Sequence, residues 1–158
     1  MRALRWFNRQ RARPIDRRLM TQIGRCLLEE LLERTEYQLA VHFIGAAEMA
    51  KLNQSFLGHE GSTDVITFNH LDGEQGPMLY GEIFISVDDA VAYAKDFGVT
   101  WQSEITRYFV HGVLHLEGCD DLEPALRRVM KRKENQLLKK LSQRFDLDKL
   151  QRSGHAKR

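Results

Sequence analysis

The chain has 158 residues, which fits one domain able to bury a real core, and its 42% apolar and 29% charged content is ordinary for a globular protein. A net charge of +2 is too small to argue for nucleic acid by itself. No apolar run approaches the ~20 residues of a membrane span, and no secretory apolar segment opens the chain, so membrane insertion and export are excluded as expectations.

The charge is unevenly spread. Arg2, Arg5, Arg9, Arg11, Arg13, Arg17 and Arg18 face a single acid, Asp16, at the start, and Arg152, His155, Lys157 and Arg158 close the chain. Such clusters can neutralise phosphates, although a solvated basic face has the same composition. Cys26 and Cys119 are the only cysteines. They suggest no disulfide framework, and the expected location is the cytoplasm.

Residues 3–8 are expected to form a first strand. Pro14 and Asp16 then open a helix along which Leu19, Ile23, Leu27 and Leu31 recur every four residues. Tyr37, Leu39, Val41 and Phe43 alternate with more polar residues, the period of a strand. Residues 46–56 read as a short helix and 57–63 as a loop containing Gly58 and Gly61. Residues 65–68 and 82–87 are two more strands, joined by a connection over 69–80. Asp88 or Asp89 is the expected cap of a helix ending near Gly98. After a histidine-bearing helix, Pro124 starts a long last helix with Met130, Leu137 and Leu141 toward the core. These elements predict an α+β fold: a small mixed sheet of three to four strands packed with about five helices. Residues 1–150 form the single domain, and 151–158 are expected to be a disordered basic tail.

The chemistry concentrates between Glu104 and Asp121. At about 100° per residue, Ile105, Phe109, Val113 and Leu116 form one apolar stripe, while Glu104, Tyr108, His111 and His115 share another side. Two histidines four residues apart on a helix can reach one metal ion, each at about 2.0–2.1 Å. Gly118 lets the backbone turn left-handed, which can return Cys119, Asp120 or Asp121 to the same ion. Three protein ligands and an open position describe a catalytic rather than a structural site. An isolated pair of histidines at this spacing is more often just two residues sharing a buried face. A zinc-protease helix would place its general base directly after the first histidine; here that position is Gly112, which argues against peptide hydrolysis.

The segment His111-Gly-Val-Leu-His-Leu-Glu-Gly-Cys-Asp-Asp121 resembles the H-G-x-L-H-L-x-G-x-D-H signature of the YbeY family, bacterial single-strand-specific endoribonucleases and ribosomal RNA maturation factors. Residues 53–68 are similar to that family's N-x-x-[FY]-R-G-x-x-x-x-T-D-V-L-S-F, residues 81–86 to its G-D-I-x-I-S, and Met130 and Glu134 to a later M-x-x-x-E. The resemblance covers roughly residues 36 to 140. Two positions depart from it: Asp121 stands where the family has a third histidine, and Leu57 where it has an arginine suited to holding phosphate.

The resemblance implies the same α+β architecture and a metal-dependent endoribonuclease acting in ribosomal RNA maturation. His111, His115 and Asp121 would hold one divalent ion, zinc being the first expectation, with Cys119 ranked below Asp121. Asp120 and Glu104 are the expected orienting or catalytic carboxylates beside the two histidines. Lys51, His59, Thr63, Asp64 and Arg107 are the expected RNA contacts. Ribosomal RNA and the small ribosomal subunit are the implied partners, with neither a membrane nor a nucleotide cofactor expected. Two other functions are compatible with the sequence: a non-catalytic RNA-binding assembly factor, which the two departures favour, and a hydrolase of another substrate on the same scaffold.

Overall fold

The computed structural model describes residues 1–71 and 78–152. Four strands, β1 (Arg2–Arg9), β2 (Glu36–Ile44), β3 (Val65–Asn69) and β4 (Met78–Ser86), form one sheet in the order β1-β2-β4-β3. β1, β2 and β4 run parallel and β3 pairs antiparallel with β4, so the sheet is mixed. Five helices surround it: α1 (Arg17–Arg25), α2 (Ala46–Leu52), α3 (Val87–Phe97), α4 (Trp101–Leu116) and α5 (Pro124–Arg144). Wider π-type turns prolong α1 over Cys26–Leu31 and α2 over Asn53–Leu57.

Alternation along β2 sends Tyr37, Leu39, Val41 and Phe43 to one face, and β4 adds Ile83 and Ile85 there. The stripe Ile105, Phe109, Val113 and Leu116 of α4 lies in the same core, nearly or fully buried, so α4 is the central helix on the inner face of the sheet. Gly112 makes this approach possible. A Cβ built there would stand 2.7 Å from Ile83 Cγ2 on β4, too close for any side chain without repacking. The same close fit that seats the histidine helix on the sheet therefore excludes a protease-type glutamate after His111.

Several expectations change at element boundaries. α3 is capped by Ser86, whose hydroxyl accepts from Asp89 N, and not by Asp88 or Asp89. The Asp89 carboxylate instead accepts the hydroxyls of Ser62 and Ser86, tying the loop before β3 to the helix start. β4 begins at Met78, inside the expected connection, because its pairing with β2 continues to Glu36. Residues 72–77 of that connection lie outside the described residues. A short 3-10 turn, Leu147–Leu150, which no helical period announces, buries Leu147 and Leu150. After it, Gln151 bridges Ile15 and Arg152 N donates to Pro14 O. The rest of the expected tail, 153–158, lies outside the described residues. No helix among the described residues is long and apolar enough to cross a membrane.

Candidate metal centre

α4 is aligned by its start and released by its end. Thr100 caps it, accepting from Ser103 N at 3.1 Å, and Gly118 leaves it at φ 100°. The exit folds the following loop under the helix, with Cys119 N donating to Leu114 O at 3.0 Å. That fold-back brings Asp121 to the two histidines. Asp121 Oδ2 lies 3.5 Å from His115 Nε2 and 4.0 Å from His111 Nε2, and the two Nε2 atoms are 3.1 Å apart. Three donors around one tetrahedral ion at about 2.1 Å would stand roughly 3.4 Å from one another. The observed spacing is close to that.

The outer ring nitrogens decide the protonation. His111 Nδ1 lies 2.8 Å from Glu134 Oε1, and His115 Nδ1 lies 3.1 Å from Cys119 O. Burial alone would raise the Glu134 carboxyl, but its bonds to His111 and Arg107 and the nearby cations hold it down at about 2. Glu134 is therefore an ionised acceptor, and a backbone carbonyl only accepts, so both Nδ1 atoms carry hydrogen. Both Nε2 atoms then point into one small space, with the Asp121 carboxylate beside them. Such a set calls for a cation or a shared proton. The His111 imidazole responds in the same sense: burial lowers its pKa, but the Glu134 bond and the charges of Glu134, Asp64 and Asp121 outweigh it and raise it. The donor set fits a divalent metal ion.

The group opens into a cleft of about 180 Å³, whose lining includes Asp64, Tyr93, Glu104, Tyr108, Arg127 and Lys131. A family model described as Endoribonuclease YbeY matches residues 5–142 of the chain.

The chain belongs to the YbeY endoribonuclease family.

Among its relatives, an Endoribonuclease YbeY from Chlorobaculum tepidum is 33% identical over 129 residues, covering 82% of this chain and 91% of that protein. One of the same name from Bacteroides thetaiotaomicron is 36% identical over 101 residues, 64% of this chain and 72% of that one. A solution structure from Thermotoga maritima shares the fold, with a TM-score of 0.67 at 24% identity over 98% of this chain and 99% of that chain.

Several carboxylates and cations take other places than the sequence reading gave them. Asp120 does not orient an imidazole; its Oδ1 accepts from Leu122 N at 2.8 Å, a local turn that shapes the loop. Glu104 lines the cleft, nearly buried, but its near partner is Arg107 Nε at 3.6 Å rather than a histidine. Burial raises its pKa above the ordinary carboxyl value, against the pull of Arg107 and Lys131. The carboxylate that holds His111 is Glu134 on α5, 3% exposed. Its signal was a lone acid on the core-facing stripe of α5, one turn after Met130, where only a partnered charge can sit.

Of the expected RNA contacts, Asp64 and Arg107 line the cleft, whereas Lys51, His59 and Thr63 do not. Arg107 is already engaged: its Nη1 donates to Glu134 Oε2 at 2.6 Å and to Asn135 Oδ1 at 2.8 Å. The cations at the cleft that the sequence reading passed over are Arg127 and Lys131, both exposed on the first turns of α5. Leu57, in the position of the family's arginine, is half-exposed and is not part of the cleft wall.

Proposed function

We propose that this protein is a metal-dependent endoribonuclease that cuts single-stranded RNA during ribosomal RNA maturation in the cytoplasm, with the small ribosomal subunit as its wider partner. The observation that carries the reading is the convergence of His111 Nε2, His115 Nε2 and an Asp121 oxygen, all within 4.8 Å of one another, in a chain of this family. Zinc is the proposed ion, and the oxygen ligand from Asp121 makes the set more tolerant of manganese or iron than three imidazoles would be. When bound, a divalent ion supplies Lewis-acid stabilisation of charge developing on phosphoryl oxygens and acidifies nearby water.

The protein's own groups do the rest. Glu134 and the Cys119 carbonyl fix the tautomer and tilt of the two histidines. Arg127 and Lys131, at the rim, replace the phosphate grip that Leu57 cannot supply. Glu104, whose pKa burial raises above the ordinary carboxyl value, is the cleft carboxyl placed to accept or release a proton.

Metal analysis of the purified protein, paired with cleavage of single-stranded RNA with and without chelator, tests this. Wild type should carry about one ion per chain and lose cleavage in chelator. His111→Ala combined with His115→Ala should lose both ion and cleavage while keeping its fold. Full metal content in that double variant would overturn the site. Salt-sensitive RNA binding without metal or cleavage in wild type would favour the assembly-factor function instead.

A further inference from the structure

Tyr93 and Phe97, one turn apart on α3, stack on each other with ring centroids 4.3 Å apart and planes at 23°. Both stay in solvent: Tyr93 is 43% exposed and Phe97 65%. Single exposed aromatics are ordinary, but a stacked pair that buries neither ring is a preformed flat surface. Its place gives it meaning. Tyr93 lines the same cleft as His111 and Asp121, and Tyr108 and Glu104 of α4 line that cleft with it. Arg127 and Lys131 bring positive charge to this cleft from α5. A strand of RNA lying in the cleft thus meets cations for its phosphates and an aromatic ring for its bases.

We propose that Tyr93, backed by Phe97, is a stacking subsite for an unpaired nucleobase next to the bond that is cut. This rests on the endoribonuclease reading and extends it to substrate choice. A base already paired in a duplex is stacked on its neighbours and cannot offer its face to Tyr93, so the subsite selects for single strands. It does so without reading sequence, because every base has a π-face. Phe97 extends the stack by one ring and holds the Tyr93 ring in place, so it acts as a positioning residue.

Binding of two short 2′-O-methyl strands of equal length, in chelator, tests the subsite. One strand bears bases, including a fluorescent 2-aminopurine; the other carries abasic sugars only. Tyr93→Ala should weaken binding of the base-bearing strand about tenfold, reduce quenching of the 2-aminopurine, and leave the abasic strand unchanged. Tyr93→Phe should restore both binding and quenching. The salt dependence of the base-bearing strand should be the same in all variants, since stacking releases no counterions. Equal affinity of wild type and Tyr93→Ala for the base-bearing strand, or equal loss on both strands, overturns the subsite. Thermal melts check the fold, and exposed rings should be removable without unfolding. The endoribonuclease reading fails separately, through absence of cleavage by metal-loaded wild type, and that failure leaves the base-dependent binding as a distinct result.

Discussion

At the scale of single residues, the centre depends on groups that do not touch the proposed ion. Glu134 joins His111, Arg107 and Lys131, at 2.8, 2.6 and 3.3 Å. It is the node between α4 and α5. Glu134→Gln keeps the shape and an acceptor oxygen but removes the charge, so the His111 ring loses what raises its basicity. The expected result is a 10–100-fold loss of metal affinity, about 1.4–2.7 kcal/mol, read by competition with a chromophoric chelator. A variant that binds metal like wild type would show that the Glu134 charge does not strengthen His111 as a ligand. Spacing on a helix and a glycine exit are local facts, so the sequence pointed to His111 and His115 with Cys119, Asp120 or Asp121 returning to them, and the resemblance to the family signature put Asp121 first. Glu134 was visible as a motif match and as the lone acid on the core-facing stripe of α5, but nothing in one chain says that residues 111 and 134 meet. Asp120 and Glu104 were named for the orienting role because sequence proximity stood in for space.

At the scale of elements, the centre is set by how closely α4 lies on β4. Gly112 is the point of contact, with Ile83 filling the space its side chain would need. Gly112→Ala improves helix propensity by roughly 1 kcal/mol, but the added methyl must push α4 outward or displace Ile83. Overpacking of this kind costs about 1–3 kcal/mol. The two effects differ in sign, and the steric one should win because Ile83 is fully buried with little room to move. The expected outcome is a lower denaturant midpoint with an unchanged slope, together with weaker metal binding as His111 and His115 shift with the helix. A more stable Gly112→Ala protein with full metal affinity would mean that Ile83 rotates away at no cost. The strands and helices themselves were largely legible from period and punctuation. Their ends were not: Ser86 outcompeted the two aspartates as cap because the Asp89 carboxylate is engaged by Ser62 and Ser86, a contact with a distant loop.

At the scale of the whole molecule, the first strand β1 and the 3-10 turn Leu147–Leu150 are part of the core. Trp6 on β1 stacks on Phe43 at 5.8 Å, and Leu150 is fully buried, so the arginine-rich start cannot be deleted without removing an edge strand. The long-range ties extend to Tyr37 on β2, which is 1% exposed and whose hydroxyl donates to Glu29 in the π-turn after α1. Burial, then the Glu29 bond, pushes its pKa up from 10.0 to about 12. Raised in the folded state, this group keeps the folded protein protonated where the unfolded chain has already ionised. Its contribution is therefore complete below pH about 10 and is lost as pH rises through about 12. Tyr108, raised chiefly by burial, acts in the same direction. Denaturant midpoints measured across this range should fall with rising pH in wild type. Tyr37→Phe should start less stable, having lost the hydroxyl bond to Glu29 Oε2 while Arg2 stays on that carboxylate, and should show a flatter alkaline decline. Parallel declines in the two proteins would mean that Tyr37 does not carry the alkaline limb, and the same series on Tyr108→Phe would then show whether the α4 tyrosine does.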